Sequence, residues 1–317
     1  MQKSALQRAR GRAKPLVVGV VGAGRVGAVL GAALHAAGHR VVAAAAVSAA
    51  SRERASRLLP FAQIRPADEV ARAATDLLLL AVPDDALGSV VAGLTATGAL
   101  ATGALAAGQI VAHTSGAHGL AVLGDVRGIA LHPAMTFTGE DNDLDRLPGI
   151  SWGVTARDKA FATRIVADLH GVPEWIAEDA RPLYHAALAH GANHLVTLVN
   201  EAADLLRAAG VEYPAAVLEP LLRAALDNAL RLGDAALTGP VSRGDAGTVR
   251  KHLDHLGPDA APAYLALARR TADRAIAAGR LRPPDAVLLL DVLAEAGQLN
   301  ESAARQRPGG HAEVGAR

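Results

Sequence analysis

The stretch GVVGAGRVG, Gly19–Gly27, decides how the rest of the chain is read. It ends an apolar run that starts at Val17 and opens a helix-like segment, Arg25–Ala37, which Gly38 closes. Gly22, Gly24 and Gly27 therefore stand at G-x-G-x-x-G spacing on a strand-to-helix junction. In such a turn the first glycine permits the tight reversal, the second lets backbone approach a pyrophosphate, and the third lets helix pack on strand. The helix start, at Arg25 and Val26, adds free N–H groups and a positive dipole that favour phosphate. These features predict a dinucleotide cofactor.

The next strand, Arg40–Val47, runs into SAASRER, Ser48–Arg54. A site for NAD usually carries an Asp or Glu here to hold the adenosine ribose. The first acidic residue of the whole chain is Glu53. Ser48, Ser51, Arg52 and Arg54 instead offer hydroxyl and guanidinium donors where a 2′-phosphate would lie. The stretch predicts NADP (NADPH) in preference to NAD, with Ser51 also serving to cap a helix over Ser51–Leu59.

Outward from this unit, short apolar runs alternate with helical segments, the pattern of a parallel sheet with crossover helices. Strands are expected at Val17–Val21, Arg40–Val47, Asp76–Val82, Gln109–His113, Gly128–Leu131 and Ile150–Thr155, with a last unit of Asp158–His170 and Val172–Ile176. After Glu178 strand-like runs stop and 3.6-residue periodicity takes over. Helices are expected from Pro182 toward Ala209, from Pro214 or Pro220 to about Leu232, and over Ala246–Leu256, Ala261–Ala278 and Pro284–Ala296. The fold class is thus an α/β Rossmann fold, doubly wound with a mainly parallel sheet, followed by an all-α C-terminal domain. The expected boundaries are a basic tail (1–14), a dinucleotide-binding domain (15–177), a helical domain (178–301) and a polar tail (302–317). The segment Leu94–Gly108, with its TGALA echo, reads as loop and frayed helix.

Composition narrows the chemistry. The chain has 317 residues, a net charge of +1, 3% aromatic residues and no cysteine. That excludes disulfides and thiolate chemistry, fits a cytoplasmic setting, and offers neither a field nor a stacking platform for nucleic acid. The basic tail before Leu16–Leu34 has the order of a signal peptide, but Arg25 and the spaced glycines make strand-turn-helix the better reading. No other run approaches the ~18 apolar residues of a membrane span. A small molecule is the expected partner.

Chemistry is sought where strands end. LLLLAVPDDAL, Leu77–Leu87, stops at Val82-Pro83, which in this architecture lies beside the nicotinamide, with Asp84 or Asp85 capping the next helix. VAHTSGAHG carries His113 and Ser115, and ALHPAMTFTG carries His132 and Thr136. Histidine at such an edge can donate or accept a proton near neutral pH. Ser115 lies outside any G-x-S-x-G, so a hydrolase elbow is not expected. YHAALAHGANHLV, Tyr184–Val196, puts His190, Asn193 and His194 on one helical face, and Gly191 within it suggests a close approach by a ligand or strand. No carboxylate neighbours that histidine pair, so no metal is expected. In LTGPVSRGDAGTV, Arg243 and Thr238 suit a substrate carboxylate, and Asp245 suits a helix cap.

GAGRVG, LLLLAVPDDAL, HTSG, LHPAMTF, YHAALAHGANHLV and LTGPVSRGD, in this order, resemble the 6-phosphogluconate-dehydrogenase-like superfamily, which includes ketopantoate reductase, pyrroline-5-carboxylate reductase and prephenate dehydrogenase. The closer resemblance is to a bacterial family that joins a Rossmann-like domain to a helical domain of unknown function. The resemblance implies a homodimer through the helical domain and reduction of a carbonyl or imine beside a carboxylate. It points to ketopantoate in pantothenate synthesis, with Asn193 and Ser115 orienting the oxygen and His132 or His190 supplying the proton. One departure stands out: several relatives carry a catalytic lysine about a turn before the asparagine, where this chain has Ala189. That departure also leaves room for a non-catalytic NADP-binding sensor, and His132-Pro133 for a dehydrogenase of a prephenate-like acid.

Overall fold

The structure is a computed structural model, and it describes residues 14–100 and 108–306. Within them the glycine turn joins β1 (Val17–Val21) to α1 (Arg25–Ala36), and β2 (Arg40–Ala45) leads to α2 (Ala49–Leu58). A two-residue β3 (Gln63–Ile64), α3 (Ala67–Ala73), β4 (Leu77–Leu80) and α4 (Asp84–Ala96) follow. Next come β5 (Ile110–His113), β6 (Gly128–Pro133), α5 (Asn142–Arg146), β7 (Ser151–Ala156), α6 (Lys159–Asp168) and β8 (Val172–Trp175). One eight-stranded sheet has the order β3-β2-β1-β4-β5-β6-β7-β8. Every neighbouring pair is parallel except β6 with β7. The Rossmann expectation holds, and strand order reverses between β1 and β4, the switch point where such sheets bind ligands.

Alternation along the central strands fills two layers. Val18, Val20, Leu77 and Leu79 pack into one apolar cluster, and Val21, Ala43, Ala45, Leu78 and Leu80 into the other. Such two-sided burial is why these strands read as continuous apolar runs. Gly19 matters to this packing, because a Cβ there would lie 2.8 Å from Ala74 Cβ and 2.9 Å from the Val70 carbonyl oxygen of α3.

The chain forms two compact units, one ending at His194 and one starting at Leu195. The first unit ends with α7 (Arg181–Leu188) and a π-helical turn, Ala189–Asn193; α8 (His194–Ala208) continues into the second. The second unit adds α9 (Pro214–Leu232), α10 (Ala246–His255), α11 (Ala261–Ala277) and α12 (Pro283–Gln306). Val249, Leu265, Ala268, Ala272, Leu289 and Leu293 form its core.

Several expectations are corrected. The helix expected from Pro182 toward Ala209 is interrupted by the π turn, and a Cβ on Gly191 would meet nothing within 4 Å, so no strand approaches it. Pro214 begins α9, and Pro220 lies inside it. Helix α12 continues to Gln306, past the expected start of the polar tail at Ser302. Pro83 occupies the cap position of α4, so Asp84 and Asp85 act in its first turn, where carboxylates suit the helix dipole. The first thirteen residues, the second TGALA and the end beyond Gln306 lie outside the described residues. No described helix is long and apolar enough to cross a membrane.

Candidate cofactor and proton-transfer site

The three glycines of the turn are needed for three different reasons. Gly22 has φ of +94°, and a Cβ on it would sit 2.5 Å from the Ala81 carbonyl oxygen after β4. Gly27 faces the Gly22 carbonyl so closely that only a hydrogen fits, which seats α1 on the turn. Gly24 is the cap residue of α1 and faces open space: nothing lies within 4 Å of its Cβ position. The N–H groups of Gly22 and Ala23 are spent on the Ala45 carbonyl, at 3.1 and 2.9 Å. No side chain caps α1, so its first N–H groups remain available to a phosphate. Arg25 is exposed and Val26 half-buried at that helix start, while Val82 and Pro83 leave β4 beside Gly22.

Beyond β2 the cap is made by Ser48, not Ser51. Ser48 Oγ accepts from the Ser51 N–H at 3.1 Å, and Ser51 Oγ donates back to the Ser48 carbonyl at 2.8 Å. Arg52 donates to the Val47 carbonyl. Arg54 Nε is buried without a hydrogen-bond partner and lies against Gly139, beside Arg25 Cγ. The Thr138-Gly139 turn is held by Asp143, wholly buried, which accepts from both backbone N–H groups at 2.9 and 2.8 Å. Arg57 reaches the same turn, donating to the Gly139 carbonyl at 2.9 Å. An open glycine cradle, free helix N–H groups and an unspent guanidinium donor fit a dinucleotide carrying a 2′-phosphate.

A second cluster forms at the ends of β5 and β6. His132, on β6, places Nδ1 2.9 Å from Tyr184 Oη of α7, and the two rings meet edge to face with centroids 5.5 Å apart. His185 stands 6.1 Å from His132, centroid to centroid. Gly116 lets both imidazoles approach the loop after β5, since a Cβ there would lie 2.7 Å from His185 and 3.0 Å from His132 Nε2. Gly153 does the same for Tyr184, whose phenolic oxygen lies 2.5 Å from the Cβ position. Burial, then the charges of His185 and Arg181, push His132 down to about 4 against a weaker pull from Asp84. Burial also raises the pKa of Tyr184 above that of an ordinary phenol. At neutral pH both groups are uncharged.

Under this pair lies Arg181, fully buried at the start of α7. It donates from Nε to Thr155 Oγ1 at 2.9 Å, from Nη1 to the Ser115 carbonyl at 3.0 Å, and from Nη2 to the carbonyls of Ala130 and Gly153 at 3.2 and 3.0 Å. One guanidinium thus ties the loop after β5 to β6 and β7. Among the described residues no carboxylate pairs with it. The loop is latched elsewhere too: Glu178 accepts from the N–H groups of Leu120 and Ala121, and His113 Nε2 meets the Gly119 carbonyl at 2.9 Å. His113 is fully buried, and burial pushes it down to about 4.

Ser115, His132 and Tyr184 come together through Arg181 and Gly116, with Ser115 Oγ accepting from the His118 N–H at 3.0 Å. Thr136 is exposed in the segment after β6. His190 and Asn193 lie exposed on the π turn, where His190 Nδ1 stands 3.2 Å from His194 Nδ1. Among the described residues no group of three metal-ligating side chains forms. Arg243 and Thr238 are exposed in the helical unit, and Asp245 caps α10, accepting from the Thr248 N–H at 3.0 Å. Sequence reasoning missed Tyr184, His185 and Arg181. Their signal was the tyrosine-histidine pair opening YHAALAHGANHLV, three residues after an arginine.

Comparison with known proteins agrees with this layout. Residues 2–133 match a Rossmann-like domain, and residues 150–271 match the domain of unknown function DUF2520. The chain joins a Rossmann-like domain to DUF2520. The DUF2520 match starts just before β7, so its first part supplies the last two strands of the sheet and the helix carrying Arg181 and Tyr184. No curated protein matches the sequence. Among solved structures, a Bacteroides fragilis protein proposed to be an NADP oxidoreductase superposes with a TM-score of 0.67, at 21% identity, over 82% of this chain and 98% of its own. A Thermotoga maritima protein, TM1727, gives 0.56 at 18% identity, over 91% and 100%. The Plasmodium falciparum pyrroline carboxylate reductase with NADP bound gives 0.52 at 11% identity, over 90% and 97%. The chain shares their fold.

Proposed function

We propose that this DUF2520 chain is an NADPH-dependent reductase of a small 2-keto carboxylic acid, with 2-dehydropantoate (ketopantoate) as the favoured substrate and pantothenate synthesis in the cytoplasm as the setting. The observation that carries the cofactor is the open Gly24 cradle next to a stretch in which Ser48, Ser51, Arg52 and Arg54 offer hydroxyl and guanidinium donors. Gly22, Gly24, Gly27 and the start of α1 would hold the pyrophosphate, and Ser48, Ser51, Arg52 and Arg54 the 2′-phosphate. A reduced nicotinamide, when bound, supplies a hydride. Fold likeness to NADP-binding reductases supports the same reading.

The chain's own residues must then polarise a carbonyl oxygen and protonate it. His132 is suited to this, because Nδ1 is held by Tyr184 while its Nε2 edge meets no side chain at Gly116. The test is an NADPH-oxidation screen with ketopantoate, other 2-keto acids and cyclic imines, with NADH as control. Turnover of a 2-keto acid with NADPH is expected. Ala189, in place of the lysine that relatives carry, favours a second reading as a non-catalytic NADP sensor. Tight NADPH binding with no oxidation across the whole panel would select it.

We further propose a homodimer built on the helical unit. Leu221 and Leu230 of α9 are 63% and 81% exposed, and Val217 and Leu226 join them on the same helix. Large apolar side chains left in water at this density mark a protein interface.

A further inference from the structure

We propose that Tyr184 and Arg181 set the working state of His132: a neutral imidazole that carries its proton on Nε2 and is recharged through Tyr184. The inference rests on the reductase reading and adds the proton path that replaces the missing lysine.

The geometry begins at Nδ1. A phenol has one proton to donate, and Tyr184 Oη stands 2.9 Å from His132 Nδ1, the one side-chain atom in hydrogen-bond reach of it among the described residues. Phenolic O–H is a much stronger acid than the N–H of a neutral imidazole, so the phenol donates and Nδ1 accepts. The imidazole proton is then fixed on Nε2, the atom that faces the Gly116 backbone, where only a glycine leaves room. In this proposal the half-buried ring meets the substrate oxygen at that edge.

Burial, His185 and then Arg181 keep positive charge off His132. Arg181 is fully buried, spends its N–H groups on three carbonyls and a hydroxyl, and has no paired carboxylate among the described residues. A buried cation with neutral partners opposes a second positive charge nearby and favours a negative one. Burial acts most strongly on His132, then His185 and Arg181 of α7, against Asp84 of α4, while Tyr184 of α7 holds Nδ1. The same guanidinium favours the ionised form of Tyr184.

The proton step follows. Reduction leaves negative charge on the substrate oxygen; the His132 Nε2–H bond breaks and the O–H bond of the product forms. Nδ1 takes the phenolic proton of Tyr184, whose O–H bond breaks. The imidazole stays neutral with its tautomer exchanged and the phenolate faces the Arg181 charge; a solvent proton restores Tyr184, and exchange with solvent returns the imidazole proton from Nδ1 to Nε2 before the next turnover. Arg181 touches no reacting atom and is a positioning residue.

The experiment is imidazole nitrogen NMR on the full chain without substrate, for the wild type, Tyr184→Phe and Arg181→Lys, with NADPH affinity as the control for folding. Expected are a wild-type His132 that is neutral and protonated on Nε2 from pH 6 to 8, a tautomer mixture in Tyr184→Phe, and wild-type shifts in Arg181→Lys. In turnover Tyr184→Phe should lose about 10²-fold in kcat, the lower end of acid–base contributions, with KM held within about 2-fold. A wild-type proton on Nδ1, a charged His132 at neutral pH, or an unchanged tautomer in Tyr184→Phe overturns the proposal. The NMR readouts need no turnover, so a failed substrate screen leaves them intact and counts against the reductase reading alone.

Discussion

Gly22 and Gly24 look alike in sequence and answer differently to substitution. Gly22→Ala places a side chain at positive φ and against the Ala81 carbonyl, so it should cost about 1 kcal/mol or more in stability, read by thermal unfolding. Gly24→Val meets open space, so the fold should persist while NADPH binding is lost in a fluorescence titration. Retained NADPH affinity in Gly24→Val would remove the cofactor assignment. Arg52→Glu and Arg54→Glu should narrow the preference for NADPH over NADH by about 10-fold or more, since each replaces a charge-assisted donor of about 1.5–3 kcal/mol with a repelling carboxylate. These residues were legible because the turn and the missing acid are local patterns. Tyr184 and Arg181 were not, because their partners lie on strands and a loop up to 66 residues away, and an arginine beside a proline reads as an ordinary helix start.

At the scale of elements, the end of β5 and the loop it launches depend on an uncharged histidine. His113 keeps its folded pKa near 4, below the ordinary 6.5, because it is buried. Between those values the unfolded chain binds the proton that the folded chain refuses. This contribution to stability is therefore complete above pH 6.5 and is lost as pH falls toward 4, on the order of 3 kcal/mol in total. Chemical denaturation across that window should show stability rising with pH, and His113→Gln should flatten the slope. A flat wild-type profile would contradict the buried neutral imidazole. The π turn gives a second test. A Cβ on Gly191 would face open space among the described residues, so Gly191→Ala should leave stability unchanged or raise it by up to about 1 kcal/mol. Element order was readable from periodicity and turn residues, whereas the π turn was not, since Ala189–Asn193 keeps helical spacing of apolar residues on both sides.

At the scale of the molecule, the change of texture after Glu178 correctly announced a helical half, and the two compact units divide at His194. What the sequence could not show is that Arg181 and Tyr184, at the start of that half, pack into the sheet of the first unit. The helical unit should form a homodimer, so sedimentation should give twice the chain mass, and Leu221→Glu with Leu230→Glu should shift it to the monomer. A monomeric wild type would assign those exposed leucines another partner.

The central claim is tested most directly by following the oxidation of NADPH by the purified full chain in the presence of ketopantoate, other 2-keto acids and cyclic imines. Oxidation with a 2-keto acid, weaker with NADH and reduced roughly 10²–10⁴-fold in His132→Ala, is the predicted result. Tight NADPH binding without oxidation by any compound, or full activity in His132→Ala, would contradict it.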